Sequence, residues 1–230
     1  MGNTVMPVFE DSKEYQPDMP MGDMHYVLRI PLPAPDGVPF SEFNHHLAGF
    51  IVLIIGLSAV AIHYSPDRLR FLRYIWPIAL VVLGIYLIIY SDPDSWPTSY
   101  RTLAASLQDP ETRQHKVFAL LLILMGSIEL LRAAGTLANP KWNYAFPALA
   151  ALGAIYLIFH RHGGHGEGMN MDTGSMTVIF YQHIAYIVTG IAIAVTKILY
   201  DTGRLRGRIG ALLWPCLTII LGLMLIKYHE

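Results

Sequence analysis

The sequence predicts an all-α, polytopic membrane protein with six transmembrane helices arranged as three repeated helix hairpins. Hydrophobic residues make up 53% of the 230 residues, and charged residues make up only 14%. This composition is typical of a membrane bundle without a separate soluble domain. The net charge of -1 argues against a nucleic-acid partner, which would need a strongly basic face.

Six apolar segments follow one another along the chain, and each is close to the roughly 20 residues that cross a bilayer core. They cover residues 46–63, 73–90, 117–134, 144–160, 178–199 and 209–227. Backbone amides in lipid need hydrogen-bond partners within their own segment. We therefore expect each segment to be a helix and the lipid bilayer to be the main partner.

A short pattern that occurs three times predicts the hairpins. Each copy has Asn or Gln followed by histidine near the start of one apolar segment. An aromatic residue followed by proline lies near the start of the next segment, 32 residues after the Asn or Gln. The copies are Asn44-His45 with Trp76-Pro77, Gln114-His115 with Phe146-Pro147, and Gln182-His183 with Trp214-Pro215. The hairpins span about 44–91, 114–162 and 182–230. Repeats of one orientation bring equivalent positions to one membrane face, so we expect the three histidines to lie at one level.

Residues 1–43 form a Met- and Pro-rich segment ahead of the six-helix domain, residues 44–230. Arginines concentrate in alternate connections, as at Arg68 and Arg70. The positive-inside rule places such connections in the cytoplasm. We therefore expect a bacterial inner-membrane protein with both termini, including the N-terminal segment, outside the cytoplasm.

Two features of the apolar segments predict packing. Gly84 and Gly222, each seven residues after a proline of the repeat, permit close helix contact. Glu129 and Lys197 both lie 14 residues after a histidine of the repeat, about 21 Å from the outer face. Because charges are costly there, we expect an ion pair between the third and fifth segments.

Histidines and loop methionines fall mostly on the predicted outer side. Imidazoles from three helices would offer nitrogen ligands suited to copper or zinc, and thioether sulfur favours Cu(I). The residues therefore predict a copper site. Its candidate ligands are His45, His46, His115, His183, His160, His162, His165, Met19, Met21, Met24, His25, Met169 and Met171.

The first helix opening, Phe43-Asn44-His45-His46-Leu47-Ala48-Gly49, resembles the CopD-like copper-resistance membrane proteins. The layout of several helices with outward histidines is similar to theirs as well. This resemblance implies copper transport, resistance, or delivery to an extracytoplasmic cuproprotein. No catalytic activity of the chain's own is expected.

Two other interpretations stay open at this point. In a b-type cytochrome or quinone-reactive subunit, His45 or His46 would ligate haem b together with His115, His183 or His160. Alternatively, the bundle is an accessory subunit of a larger membrane complex and its histidines have no ligand role.

Overall fold

A computed structural model describes residues 38–159 and 173–229, with side chains described for 40–159 and 177–229. The regular elements of these residues are all helical. They are α1 (Val38–Tyr64), α2 (Leu72–Tyr90), α3 (Leu103–Ser106), α4 (Pro110–Ala133), α5 (Ala145–Tyr156), α6 (Thr173–Asp201) and α7 (Gly207–Ile226), with 3-10 turns at Pro140–Tyr144 and Leu157–Phe159. The prediction of an all-α protein is therefore confirmed for the described part of the chain.

Among the described residues, five helical stretches are long and apolar enough to cross a membrane. They are Phe40–Tyr64, Leu72–Tyr90, Pro140–Phe159, Thr177–Asp201 and Gly207–Ile226. The remaining long helix, α4, has the length to span but carries five charged residues. By length and composition, the structure thus supports five of the six predicted spans.

The long helices pack as a closed ring. Each contacts the next along the chain, in the order α1, α2, α4, α5, α6 and α7, and α7 packs against α1. Side chains from α1, α2, α4 and α5 fill part of the interior with the buried cluster Ile55, Trp76, Leu80, Met125 and Phe146. The ring therefore encloses a packed interior.

Small residues allow the closest helix contacts in this ring. A Cβ placed on Gly84 of α2 would lie 2.6 Å from the backbone oxygen of Ala119 in α4. A Cβ on Gly222 of α7 would lie 2.6 Å from the backbone nitrogen of Leu53 in α1. Since helices in lipid associate largely through van der Waals contact, close backbone approach stabilises these pairs. The predicted packing role of both glycines is confirmed.

Two of the three prolines of the repeat lie in the same contacts. Pro77 and Pro215 are fully buried within α2 and α7. A Cβ on Gly126 of α4 would lie 2.6 Å from the carbonyl oxygen of Pro77, and one on Gly56 of α1 would lie 2.9 Å from that of Pro215. Each of these two prolines therefore faces a glycine of a neighbouring helix. The missing side chain of the glycine leaves room for the helical turn that contains the proline.

We predict that Gly222→Ala separates α7 from α1 and lowers the free energy of unfolding by about 1–3 kcal/mol, because the added methyl meets rigid backbone. The matched control is Gly153→Ala in α5, whose Cβ would meet only the Leu121 side chain at 3.5 Å. Denaturant titration in detergent measures both. Equal stability of the two variants would contradict the close α1–α7 contact.

Candidate functional site

Four charged side chains meet inside the bundle where α4 and α6 end. The Lys197 ammonium lies 2.8 Å from Oδ2 of Asp201 and 3.9 Å from Oε2 of Glu129. Arg132 Nη1 lies 3.2 Å from the same Asp201 oxygen and also pairs with Glu129. All four side chains are buried or nearly so. With two cations and two carboxylates the cluster has no net charge, which is the condition for burying ions at tolerable cost.

A neutral side chain ties this charge cluster to the start of the next span. Asn143, in the 3-10 turn before α5, accepts a hydrogen bond from Arg132 Nη2 at 2.8 Å. The same amide donates from Nδ2 to the backbone oxygen of Asp201 at 2.8 Å. The cluster thereby joins α4, α5 and α6 at one end of the bundle.

Three aromatic rings enclose the ammonium of Lys197. Its Nζ lies 4.9 Å from the ring centroid of Trp214, 5.4 Å from that of Phe146 and 6.0 Å from that of Trp76. The rings also contact one another, with Trp76 centred 5.9 Å from Trp214 and 6.0 Å from Phe146. Cation–π attraction at such distances, away from water, adds to the ion pairs. The aromatic members of the three repeats therefore surround one lysine.

The predicted ion pair between Glu129 and Lys197 is confirmed. Sequence reasoning missed Arg132 and Asp201, which complete the cluster. A signal for Asp201 was available, because it lies four residues after Lys197 and such a pair shares one helix face. Arg132 lies three residues after Glu129, so the same reasoning applies to it.

At the opposite end of the bundle, Tyr228 lies between two of the predicted histidines. Its ring stacks on His45 with centroids 3.8 Å apart, and the His183 ring meets it edge-on at 6.3 Å. His46 donates from Nε2 to the backbone oxygen of Tyr228 at 2.9 Å. Only 1% of Tyr228 is exposed. The residues that follow α7 are thus held against α1 and α6.

Backbone carbonyls one turn back orient two of these imidazoles. Nδ1 of His45 donates to the oxygen of Ser41 at 2.8 Å, and Nδ1 of His183 donates to the oxygen of Ile179 at 2.7 Å. Because a carbonyl oxygen only accepts, Nδ1 carries the proton in both rings. Both rings are therefore fixed by their own helices.

The third histidine of the repeat has a different partner. His115 Nδ1 donates to Oδ1 of Asp92 at 2.9 Å, and Ser91 donates to the other carboxylate oxygen. Lys116 lies 3.6 Å from that oxygen and donates to the backbone oxygen of Ile88 at 2.7 Å. Asp92, just beyond α2, therefore binds the start of α4. Burial raises the pKa of Asp92, but the His115 and Ser91 hydrogen bonds and the charge of Lys116 lower it to about 2 overall.

The amides of the repeat join each helix to the end of the following one. Asn44 accepts from the hydroxyl of Tyr86 at 2.8 Å. Gln114 donates to the backbone oxygen of Phe159 at 2.5 Å, and Gln182 donates to that of His229 at 2.9 Å. Their function in the structure is to tie neighbouring helices together.

The predicted copper ligands divide into two groups. His45, His46, His115 and His183 lie as described above, at one end of the bundle. The others lie outside the described residues: His160, His162, His165, Met19, Met21, Met24, His25, Met169 and Met171. Within the described residues, no group of three or more His, Cys, Asp or Glu side chains is placed to hold a metal ion. A haem b site stays a prediction.

We predict that Asp92→Asn lowers the free energy of unfolding by about 3 kcal/mol near neutral pH, because it leaves half-buried His115 and buried Lys116 without their carboxylate. The pKa of Asp92 is lowered from 3.8 to about 2 in the folded protein. Its contribution is therefore present above pH 3.8 and lost as the pH falls towards 2.

Denaturant titration at several pH values measures this difference, with Asp94→Asn at a neighbouring exposed position as the control. A stability difference between wild type and Asp92→Asn that persists unchanged down to pH 2 would argue against the Asp92 anchor.

Comparison with known proteins places the chain in a membrane family. The family model described as the LiaF transmembrane domain matches residues 47–165. No curated protein matches, and no solved structure matches.

This match corrects two predictions. The resemblance to CopD-like copper-resistance proteins is wrong, because the matching family is a different one. Copper handling as the function is wrong too, since the described histidines are engaged with backbone oxygens, Asp92 and Tyr228 and are not grouped to hold a metal. Because the match covers slightly more than half of the 230 residues, the chain is an integral membrane protein that belongs to the LiaF transmembrane domain family.

Proposed function

We propose that this protein is a membrane component of stress-response regulation and has no catalytic activity of its own. The observation that carries the proposal is the match to the LiaF transmembrane domain over residues 47–165. The geometry is compatible with such a function, because the charge cluster, Asp92 and the amides of the repeat bind other helices of the same bundle. A larger membrane complex is the setting in which we expect a regulator of this kind to act.

The charge cluster is the part of the bundle best suited to regulation. Glu129, Arg132, Lys197 and Asp201 connect α4 with α6, and Asn143 connects both to the start of α5. A movement of one helix would break ion pairs to the others. Packed interiors with paired charges favour discrete arrangements over gradual deformation. A signal received by one hairpin would in this way reach its neighbours.

We further propose that α4 crosses the membrane, which gives six spans. In support, α4 has 24 residues and packs between α2 and α5 in the ring. Its charged residues Glu129 and Arg132 have partners within the bundle, and Lys116 lies near the helix start beside Asp92. Paired charges that face the bundle interior are compatible with a spanning helix.

Equivalent contacts support the proposal of three related hairpins. The amides Asn44, Gln114 and Gln182 bind the end of the second helix of their own hairpin. Seven residues after each proline, Gly84, Ala154 and Gly222 pack against the first helix of another hairpin. One hairpin interface thus recurs three times around the ring.

The orientation follows from the positive-inside rule. We place the Arg-rich connections after α1 and α6 in the cytoplasm, and both termini outside a bacterial inner membrane. Residues 1–43 would then form an extracytoplasmic segment ahead of the membrane domain, 44–230.

Cysteine accessibility tests the six-span topology. In a Cys216→Ala background, we predict that a membrane-impermeant maleimide labels Asp94→Cys in intact cells, and labels Thr136→Cys only after permeabilisation. Both positions are exposed and flank α4, so they lie on opposite sides only if α4 spans. Labelling of both from the same side would show that α4 does not cross the membrane.

Deletion of the gene in its host tests the regulatory function. We predict that transcripts induced by membrane stress change in level or onset, and that the wild-type gene restores the wild-type response. Lys197→Met should fail to restore them, because it leaves the carboxylates of the charge cluster without their central cation.

Lys141→Met, at an exposed lysine near the same end of the bundle, is the matched control and should restore the response. Immunoblotting of membranes checks that both variants accumulate to similar amounts. Stress transcripts that are identical with and without the gene would contradict the proposed function.

A further inference from the structure

Two neighbouring connections carry a dense group of arginines. Arg68 and Arg70 lie between α1 and α2, and Arg73 follows at the start of α2. Arg204 and Arg206 lie between α6 and α7, and Arg208 follows at the start of α7. All six residues are exposed. We call these six residues the arginine surface.

The fold brings the two connections together. Arg208 Nη2 donates to the hydroxyl of Tyr64, the last residue of α1, at 2.8 Å. The Arg208 guanidinium also lies 5.0 Å from the centroid of the Tyr64 ring. Because α1 and α7 pack along their lengths, the connection that leaves α1 lies beside the one that enters α7. The arginine surface is therefore continuous across both.

The positive charge of this surface is not neutralised within the described residues. No Asp or Glu of the described chain lies within 4.0 Å of the six guanidinium groups, whereas the half-buried Arg132 has two carboxylate neighbours. The acidic residue of these connections, Asp67, is itself exposed. The described contacts of Arg73 and Arg206 are with the Tyr74 hydroxyl and the Gly203 backbone oxygen. The surface is thus suited to an external anion.

The position of the surface identifies the kind of anion. Each arginine lies within a few residues of the end of a candidate membrane span, and the ends of such spans meet the lipid headgroups. Exposed apolar side chains lie among the arginines, with Phe71 53% exposed and Ile209 76% exposed. A surface that combines guanidinium groups with exposed apolar side chains at a helix end matches the boundary between phosphates and acyl chains.

We propose that the arginine surface binds the headgroups of anionic phospholipids. Guanidinium groups bind phosphate oxygens with paired hydrogen bonds, and the Phe71 and Ile209 side chains insert beside the first acyl carbons. An acidic segment of a partner protein could bind the guanidinium groups, but it would also have to cover the exposed apolar side chains. The position of the surface at the ends of membrane spans favours lipid over such a segment. The lipid thereby joins the α1–α2 connection to the α6–α7 connection.

Native mass spectrometry of the full chain in neutral detergent tests this proposal. Phosphatidylglycerol is titrated against phosphatidylcholine, and we expect the wild type to bind phosphatidylglycerol more tightly. Arg68→Gln/Arg70→Gln should weaken phosphatidylglycerol binding by about fivefold per arginine at low ionic strength. Arg204→Gln, from the other connection, should weaken it as a single change. Binding of phosphatidylcholine should be unaffected.

The matched control is Arg101→Gln/Arg113→Gln, which removes the same charge from two exposed arginines near the opposite end of the bundle. It should leave phosphatidylglycerol binding close to that of the wild type. An equal loss in both double variants, or equal wild-type affinity for the two lipids, would overturn the proposal. So would tight binding of a poly-glutamate peptide that phosphatidylglycerol does not displace.

Discussion

The structure depends on neutralising one lysine inside an apolar bundle. Lys197 is buried on α6, and Asp201, Glu129 and three aromatic rings surround its ammonium. Because an unpaired charge in this environment is strongly destabilising, the elements that supply these groups are held together. They include α2, α4, α5 and α7 as well as α6 itself. A single charge thereby constrains most of the ring.

Close backbone packing is the second constraint, and it acts along the helices away from the charge cluster. Gly84, Gly126, Gly56 and Gly222 let α2 approach α4 and let α1 approach α7. At the far end the polar contacts resume, with Asp92 anchoring α4 and Tyr228 lying against α1. The bundle thus has polar contacts at its two ends and small-residue contacts along its length. Both kinds of contact are effective in lipid, where burial of apolar side chains drives little association between helices.

The sequence was sufficient for features that follow from local composition. Apolar length predicted the helices, and the scarcity of intramembrane charges predicted that Glu129 would pair with Lys197. It was insufficient where the partner depends on the packing of distant elements, as for Arg132 with Asp201 or the amides with their carbonyl oxygens. The prediction of copper handling as the function went wrong for a related reason. Histidine is a residue type that suits a metal, as at His45, His115 and His183. The fold, however, decides which oxygen accepts a hydrogen bond from each Nδ1, and it places Tyr228 between two of the rings.

Buried side chains lie near both ends of the described bundle. Lys197 with its three rings occupies one end, Tyr228 occupies the other, and Ile55, Leu80 and Met125 lie between them. The buried cluster adjoins the rings around Lys197, since Trp76 and Phe146 belong to both. In the proposed regulatory function, a signal would pass between Tyr228 and the charge cluster as a tilt, rotation or sliding of whole helices.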